Sequence, residues 1–380
     1  MKTIRAAIFG TGFMGRVHTE AARRLGHVEI AAVAASAEDK ARAFAEQHNI
    51  PRATADWQSL CADPTFDAVH ICTPNLLHYP MAKLALEHGK HVLLEKPLTM
   101  TIPEARELLA LAEAKGVVHC VNHNLRAYPC VQQARAMAAA GELGEILMAQ
   151  GSYYQDWLLY DTDWNWRLDK ALNGPLRTIA DIGSHWMDMV QHITGLPITA
   201  VCADMATFHA TRKRPQGSIE SFAGKKYVPT EYEVIPIDTD DYASVLFRLG
   251  ERARGMYSVT QMAIGRKNRL AIEIYGTRAS IAWDQERPDE LWIGQRNEPN
   301  RILLKDASLF RDAAGTYVEQ PGGHAEGYAD THKQTIRRFY ARVADPARPA
   351  DHPTFADGLR GMELLDKVAE SARLRSWVNT

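Results

Sequence analysis

Along the first third of the chain, short apolar runs alternate with amphipathic stretches. Ile4 to Phe9, Val28 to Ala34, Ala68 to Cys72, His91 to Leu94 and Val117 to Val121 are apolar nearly throughout, as strands covered on both faces must be. Arg16 to Leu25, Asp39 to Gln47, Tyr79 to His88 and Ile102 to Lys115 lie between them and read as helices. Strand and helix in turn predict a doubly wound parallel sheet of the Rossmann kind. From about Gly141 the rhythm changes to period two. Ile146 to Tyr154, Tyr242 to Leu249, Arg254 to Gln261, Leu270 to Tyr275 and Ser280 to Trp283 read as strands, with Gly265 and Gly276 at two of the turns. They predict a second, α+β domain around a mostly antiparallel sheet with one face left uncovered by helices. Thr207 to Asp240 has no period and reads as a long irregular excursion. Tyr328 to Val343 and Phe355 to Ser371 read as closing helices. The expected division is a dinucleotide-binding domain over 1–122 and a substrate-binding and oligomerisation domain over 123–380, with helix 355–371 packing back on the first. There is no internal repeat and no low-complexity segment.

Two positions in the first region carry chemistry. Gly10-Thr11-Gly12-Phe13-Met14-Gly15 follows the first strand at once and opens a helix, the order a dinucleotide site requires. Gly10 allows the tight turn, Gly12 lets a pyrophosphate approach the backbone, and Gly15 lets the helix pack closely. The N–H groups at the helix start then face the phosphates. His91 to Leu94 runs into Glu95-Lys96-Pro97, and proline cannot continue a central ladder, so this strand ends near Lys96. Ligands of open α/β sheets bind beyond such strand ends, which places Lys96 towards any bound cofactor. Thr73-Pro74-Asn75 closes another strand in the same way.

Asp181-Ile182-Gly183-Ser184-His185-Trp186-Met187-Asp188 is the second dense signal. On a helix, Asp181 and His185 share a face, and Asp188 is placed to hydrogen-bond the imidazole from behind. Three ionisable groups on a largely apolar helix are costly without partners or a task. A helix cap by Asp181 and a satisfied core histidine also fit this segment alone. No second His/Asp pair of fitting spacing is present, so no metal site is expected.

The glycine loop, Glu95-Lys96-Pro97 and Asp181-x-x-x-His185, in this order, resemble the glucose-fructose oxidoreductase, inositol dehydrogenase and rhizopine catabolism (Gfo/Idh/MocA) family. The resemblance covers nearly the whole chain and extends to Thr73-Pro74-Asn75 with His78, Asn122 to Pro129, Gly141-Glu142-Leu143-Gly144 and Trp166-Arg167. It implies a catalytic set of Lys96, Asp181 and His185, and a place beside the cofactor for Trp166 and Arg167. It also implies cofactor contacts from Gly10, Gly12, Phe13, Met14, Gly15, Thr73, Pro74, Asn75, His78, Glu95 and Lys96. Such a set suits hydride transfer at a secondary alcohol, where a base must take the hydroxyl proton as the carbon loses hydride. His185, with an ordinary pKa of about 6.5, fits the base better than Lys96 at about 10.4. Lys96 then stabilises the developing alkoxide, and Asp181 binds a neighbouring hydroxyl. Coupled groups exchange such roles readily.

Tyr153-Tyr154-Gln155-Asp156-Trp157 and Asp161 to Trp166 mix aromatic and carboxylate groups, as a sugar site does, although the aromatics also fit a core. Gln155-Asp156-Trp157 resembles the levoglucosan and related pyranoside dehydrogenases of the family, which implies a pyranose or cyclitol substrate met by Lys96, His123, Asn124, Gln155, Asp156, Asp181 and His185. The cofactor expected is NAD(P). A carboxylate about 20 residues beyond the glycines would mark NAD, but the second strand ends Ala34-Ala35-Ser36. Ser36 with Lys40 suits a 2′-phosphate, which leans the expectation to NADP, while Glu38 or Asp39 suits a ribose. Members of the family that bind sugar and nucleotide as regulators, and relatives that reduce imines or linear pyrroles, are the competing classes. Retention of Lys96, Asp181 and His185 argues against both.

Charge and cysteines narrow the setting. Among 380 residues, 44 are basic and 46 acidic, a formal net charge of −2 that gives no footing for nucleic acid. Arg212-Lys213-Arg214 and Lys225-Lys226 read as solvated loop runs. No apolar run reaches the roughly 18 residues of a membrane helix, and Met1 to Arg5 leads into a strand without a signal-peptide core, so a cytoplasmic protein is expected. Five scattered cysteines without Cys-x-x-Cys spacing point to neither a disulfide framework nor a thiolate metal site. The uncovered sheet face predicts a homodimer or homotetramer.

Overall fold

The computed structural model describes residues 3–216 and 231–380. Lys225-Lys226 lies outside them. The chain forms two compact units, one from Met1–Asn124, Ala171–Gly174 and Ala329–Met362, the other from Leu125–Lys170, Pro175–Tyr328 and Glu363–Thr380.

The first unit holds six parallel strands, β1 (Ile4–Phe9), β2 (Val28–Ala34), β3 (Arg52–Thr54), β4 (Ala68–Ile71), β5 (His91–Leu94) and β6 (His119–Val121), in the order β3-β2-β1-β4-β5-β6. Helices α1 (Phe13–Arg23), α2 (Glu38–His48), α3 (Trp57–Ala62), α4 (His78–Glu87) and α5 (Ile102–Lys115) connect them. Alternate residues of a strand feed opposite cores. Ala7, Phe9, Val92 and Leu94 enter one apolar cluster, and Ile4, Ala6, Ile8 and Leu93 the other. That is why these strands read as continuous apolar runs. Thr101 and Glu104 form a capping box at the start of α5, and Gly116, at φ +62°, ends it.

Each core is finished by residues from near the end of the chain. Ile336, Phe339 and Tyr340 of helix Tyr328–Ala344 complete one cluster, and Phe355 of helix Phe355–Leu374 completes the other. The chain thus returns to its first unit over Ala329–Met362. The strand β3 and helix α3 were not foreseen, because β3 is three residues long and has no buried position to set a period.

The second unit is built on nine strands. They are β7 (Ile146–Tyr154), β8 (Ile198–Ala206), β11 (Tyr242–Leu249), β12 (Ala253–Thr260), β13 (Arg269–Gly276), β14 (Ser280–Asp284), β15 (Glu290–Gly294), β16 (Arg301–Leu304) and β17 (Val378–Asn379), in the order β16-β15-β14-β13-β7-β12-β11-β8-β17. A separate ladder pairs β9 (Thr211–Pro215) with β10 (Tyr232–Pro236). Among the described residues, all pairs in this unit are antiparallel except β7 with β12. The inner face of the large sheet is covered by α6 (Pro129–Ala139) and α7 (Ser184–Thr194), with Trp186 stacked on Tyr257 at 4.5 Å. On the other face Leu246 and Met256 are paired across strands and about half exposed, at 49% and 53%.

The β9–β10 ladder corrects the reading of 207–240 as wholly irregular. It also corrects Arg212, expected in solvent, which is fully buried. Its guanidinium donates to the carbonyls of Leu158 and Tyr160 and to Asp241, at 2.8–3.0 Å. Lys213 and Arg214 remain outside, pairing with Asp161 and Glu233. No helix among the described residues is long and apolar enough to cross a membrane.

Candidate functional site

In the first unit, the turn between β1 and α1 is shaped by its glycines. Gly10 has φ +104°, and a Cβ on it would lie 2.6 Å from the Cys72 carbonyl oxygen. At Gly15 a Cβ would lie 2.0 Å from the Gly10 carbonyl oxygen, so only glycine lets α1 close on the turn. Gly12 differs, because a Cβ there would meet nothing within 4 Å. The fold does not need a glycine at that point, but a pyrophosphate approaching the backbone does. Phe13 and Met14 form the first turn of α1, which carries no acidic residue to oppose an anion. These residues fit a dinucleotide.

Beyond β2, Lys40 Nζ lies 3.5 Å from Ser36 Oγ. Glu38 Oε1 accepts from the Ala55 N–H at 2.6 Å and the Thr54 hydroxyl at 3.3 Å. Asp39 is exposed. After β4, Asn75 is buried, and its amide donates to the main-chain and side-chain oxygens of Asn173. Both ring nitrogens of His78 sit at carbonyl oxygens, Nδ1 at Pro97 (2.8 Å) and Nε2 at Thr73 (3.0 Å). Burial lowers the pKa of this imidazole, against the pull of the two carbonyls. His78 thus ties the loop after β4 to the loop after β5, and any contribution to a cofactor runs through those loops.

Lys96 is half-buried where the chain leaves β5. Glu95 turns inward instead of towards a cofactor. Its carboxylate accepts from His18 Nε2 at 2.9 Å and from the Asn122 amide. Burial opposes its ionisation, but the hydrogen bond and charge of His18 prevail and hold its pKa at about 2. The chain of contacts continues from His18 to His70 at 3.1 Å and from His70 to the Tyr340 hydroxyl at 2.6 Å, all within the core. His123 and Asn124, expected at a sugar, are both buried, and the Asn124 amide donates to Thr331 Oγ1 at 2.8 Å.

In the second unit, Asp181 and His185 do not lie on one regular α-helix. Ile179–Gly183 forms a π turn, and α7 begins only at Ser184 with Gly183 as its N-cap. The expected four-residue spacing assumed the ordinary pitch, whereas a π turn is wider and recurs at functional sites. Asp181 is not a helix cap. Its Oδ1 accepts from Arg167 Nε at 3.1 Å, and its Oδ2 from Gln261 Nε2 at 2.7 Å. Arg167, expected at the cofactor, therefore rests on Asp181, with its guanidinium over the Trp166 ring at 4.6 Å. Asp188 does not support the His185 imidazole, because Arg126 holds both of its carboxylate oxygens.

The aromatic segment before the π turn is equally tied. Gln155 is buried, accepts from Trp157 Nε1 at 2.7 Å and donates to Asn268 Oδ1 at 2.8 Å, an atom that the Tyr153 hydroxyl shares. Asp156 pairs with Lys267 and accepts the Gly265 N–H. Behind Asp181 lies a fully buried polar group that the sequence did not single out. Arg177 and Arg212 share the Asp241 carboxylate, and Asp240 accepts the main-chain N–H groups of Arg177 and Ile179, both at 2.7 Å. Burial raises Asp240 to a pKa of about 6 despite those bonds. The only signal in the sequence was the pair of adjacent acids beside a strand, which periodicity does not interpret.

Residues 4–123 match the family described as an oxidoreductase family with an NAD-binding Rossmann fold, and residues 131–282 match the GFO/IDH/MocA C-terminal domain. A levoglucosan dehydrogenase of Pseudarthrobacter phenanthrenivorans is 30% identical over 398 residues, covering 100% of this chain and 98% of its own. A solved levoglucosan dehydrogenase, in complex with NADH and L-sorbose, superposes with a TM-score of 0.90 at 28% identity over 100% of this chain and 99% of that one. An NADP+-dependent scyllo-inositol 2-dehydrogenase of Bacillus subtilis is 40% identical over 115 residues, 30% of this chain and 35% of its own length. With both domains matched and the likeness running end to end, this chain belongs to the Gfo/Idh/MocA family of oxidoreductases.

Proposed function

We propose that the protein is an NAD(P)-dependent dehydrogenase acting on a secondary hydroxyl of a pyranose, glycoside or cyclitol. The observation that carries this reading is the glycine turn whose middle position is glycine for no packing reason, in a chain similar to a levoglucosan dehydrogenase over its full length. Gly10 to Gly15, Thr73 and Pro74 would hold the nucleotide, whose nicotinamide supplies the hydride acceptor or donor. His185 takes the hydroxyl proton, the Lys96 ammonium stabilises negative charge on the oxygen, and Asp181 receives a neighbouring hydroxyl. Arg167 and Gln261 keep the Asp181 carboxylate oriented for that task. Trp157, Gln155 and Asp156 supply the sugar-facing side.

Absorbance at the reduced-nicotinamide band, with NAD and NADP against a panel of pyranoses, anhydro sugars and cyclitols, tests the reading. Turnover is expected, and Lys96→Ala and His185→Ala should each lower kcat by orders of magnitude while nucleotide still binds. Nucleotide binding without turnover of any member would favour a sensing role.

Ser36 and Lys40 favour NADP. They sit side by side beyond β2. Ser36→Asp should weaken NADP and spare NAD, and a tighter Kd for NAD than for NADP in the unmutated protein would refute the phosphate-binding role. The exposed sheet face around Leu246 and Met256 is proposed to pair with a second copy, giving a dimer or tetramer. A monomeric mass in light scattering at micromolar concentration would exclude this.

A further inference from the structure

Gln261 is fully buried just after β12, and its side-chain amide makes four hydrogen bonds. Its Nε2 donates to Asp181 Oδ2 at 2.7 Å and to Gln155 Oε1 at 3.3 Å. Its Oε1 accepts from Arg177 Nη1 at 3.0 Å and from Thr178 Oγ1 at 3.3 Å. The orientation of the amide follows from these partners. Turned over, it would set its N–H groups against a guanidinium and its oxygen against a carboxylate.

The Arg177 side of the amide is anchored. Arg177 is fully buried on Asp241, and Asp241 is shared with Arg212, which staples the carbonyls of Leu158 and Tyr160 in the aromatic segment. One continuous set of contacts therefore runs from that segment through Asp241, Arg177 and Gln261 to both Asp181 and Gln155. A side chain so fixed sets the spacing between the two groups it bonds.

We propose that Gln261 is a positioning residue for sugar selectivity, holding Asp181 and Gln155 at a fixed separation so that they read two hydroxyls of one ring together. This rests on the proposed sugar dehydrogenase activity, in which Asp181 and Gln155 face the substrate. Epimers that differ at one of these hydroxyls are told apart because neither side chain can shift alone to follow the change. A site built to bond a hydroxyl discriminates strongly when the partner is misplaced, since its own polar group is left unpaired.

The test uses the full-length protein and two 1,6-anhydro pyranoses that differ in configuration at one carbon. Gln261→Leu removes all four bonds. Gln261→Asn keeps a neutral amide for the polar surroundings but is one methylene too short to span from Arg177 to Asp181 and Gln155, and so guards against a loss of fold caused by leucine. Circular dichroism and the Kd for reduced nucleotide should stay as in the unmutated protein. The ratio of kcat/KM for the two epimers should fall at least tenfold in both variants. A purely structural role would lower both values together and leave the ratio alone, so a ratio within twofold of the unmutated one overturns the proposal. Failure of the unmutated protein to turn over either epimer, or any sugar of the wider panel, would instead overturn the dehydrogenase reading, and this role with it.

Discussion

Two buried carboxylates, one in each unit, respond to burial in opposite ways. Glu95 in the first unit is held ionised, with its pKa down at about 2, while Asp240 in the second is pushed up to about 6. Both are nearly or wholly out of solvent and both accept good hydrogen bonds. Their partners differ. Glu95 faces the His18 ring, whose direct bond and charge lower the carboxyl pKa. Asp240 receives two main-chain N–H groups, while the adjacent Arg177 guanidinium is committed to Asp241. Neutral donors satisfy a carboxylate's lone pairs but offset less of the cost of burying its charge. The consequences for stability have opposite signs. Glu95 contributes stability above its ordinary value of 4.5, and this is lost as pH falls towards 2. Asp240 is most favourable in its protonated form, so its contribution is present below 3.8 and is lost as pH rises through about 6.

The largest test of this contrast is His18→Leu. It leaves the Glu95 charge buried without its imidazole, and breaking such a pair costs about 3–5 kcal/mol. The midpoint of urea unfolding at pH 7 should fall accordingly. Glu95→Gln in the same background should recover much of the loss, because the uncompensated charge is then gone. No recovery would mean that His18 matters for packing alone.

Asp240→Asn comes next. Asparagine offers one oxygen where Arg177 and Ile179 need two, and an unpaired buried N–H costs about 1–3 kcal/mol. The deficit should be greatest near pH 4 and shrink as pH rises past 6, where the unmutated protein carries the buried charge and the variant does not. Urea midpoints across pH 4–8, with hydrogen exchange of the Arg177 and Ile179 amides as a local readout, would show this slope. A deficit that grows with pH would reverse the assignment.

The same contrast explains what was legible in the sequence. Period and glycine pattern located β1, β2, β5 and the turn from Gly10 to Gly15, because one-dimensional spacing determines them. The two sheets, parallel and mostly antiparallel, followed from the change in rhythm near Gly141. Contacts between distant residues leave no such trace. His18 lies in a helix legible only by its period, and nothing local ties it to Glu95 or to Tyr340. Arg212 lay in a basic run that composition assigns to solvent, yet its guanidinium is buried on Asp241 while Lys213 and Arg214 stay out. The π turn at Ile179–Gly183 has no sequence period of its own, so the regular helix expected there set Asp181 and Asp188 on the wrong footing. Arg126, Gln261 and Arg167 then supplied the partners that spacing could not name.

The smallest expected effect separates burial from pairing. Glu145 and Arg252 form an ion pair at 2.8 Å, as short as the contact between Glu95 and His18, but their side chains are 46% and 72% exposed. If a short contact between opposite charges were what mattered, Arg252→Ala would destabilise the protein as much as His18→Leu. Water solvates Glu145 when its partner is removed, however, and salt screens what attraction remains. The urea midpoint of Arg252→Ala should therefore match that of the unmutated protein at 0.15 M salt, and a small loss should emerge only at low ionic strength. A loss equal to that of His18→Leu would show that the charge of the partner, and not the exclusion of solvent around Glu95, governs the first unit.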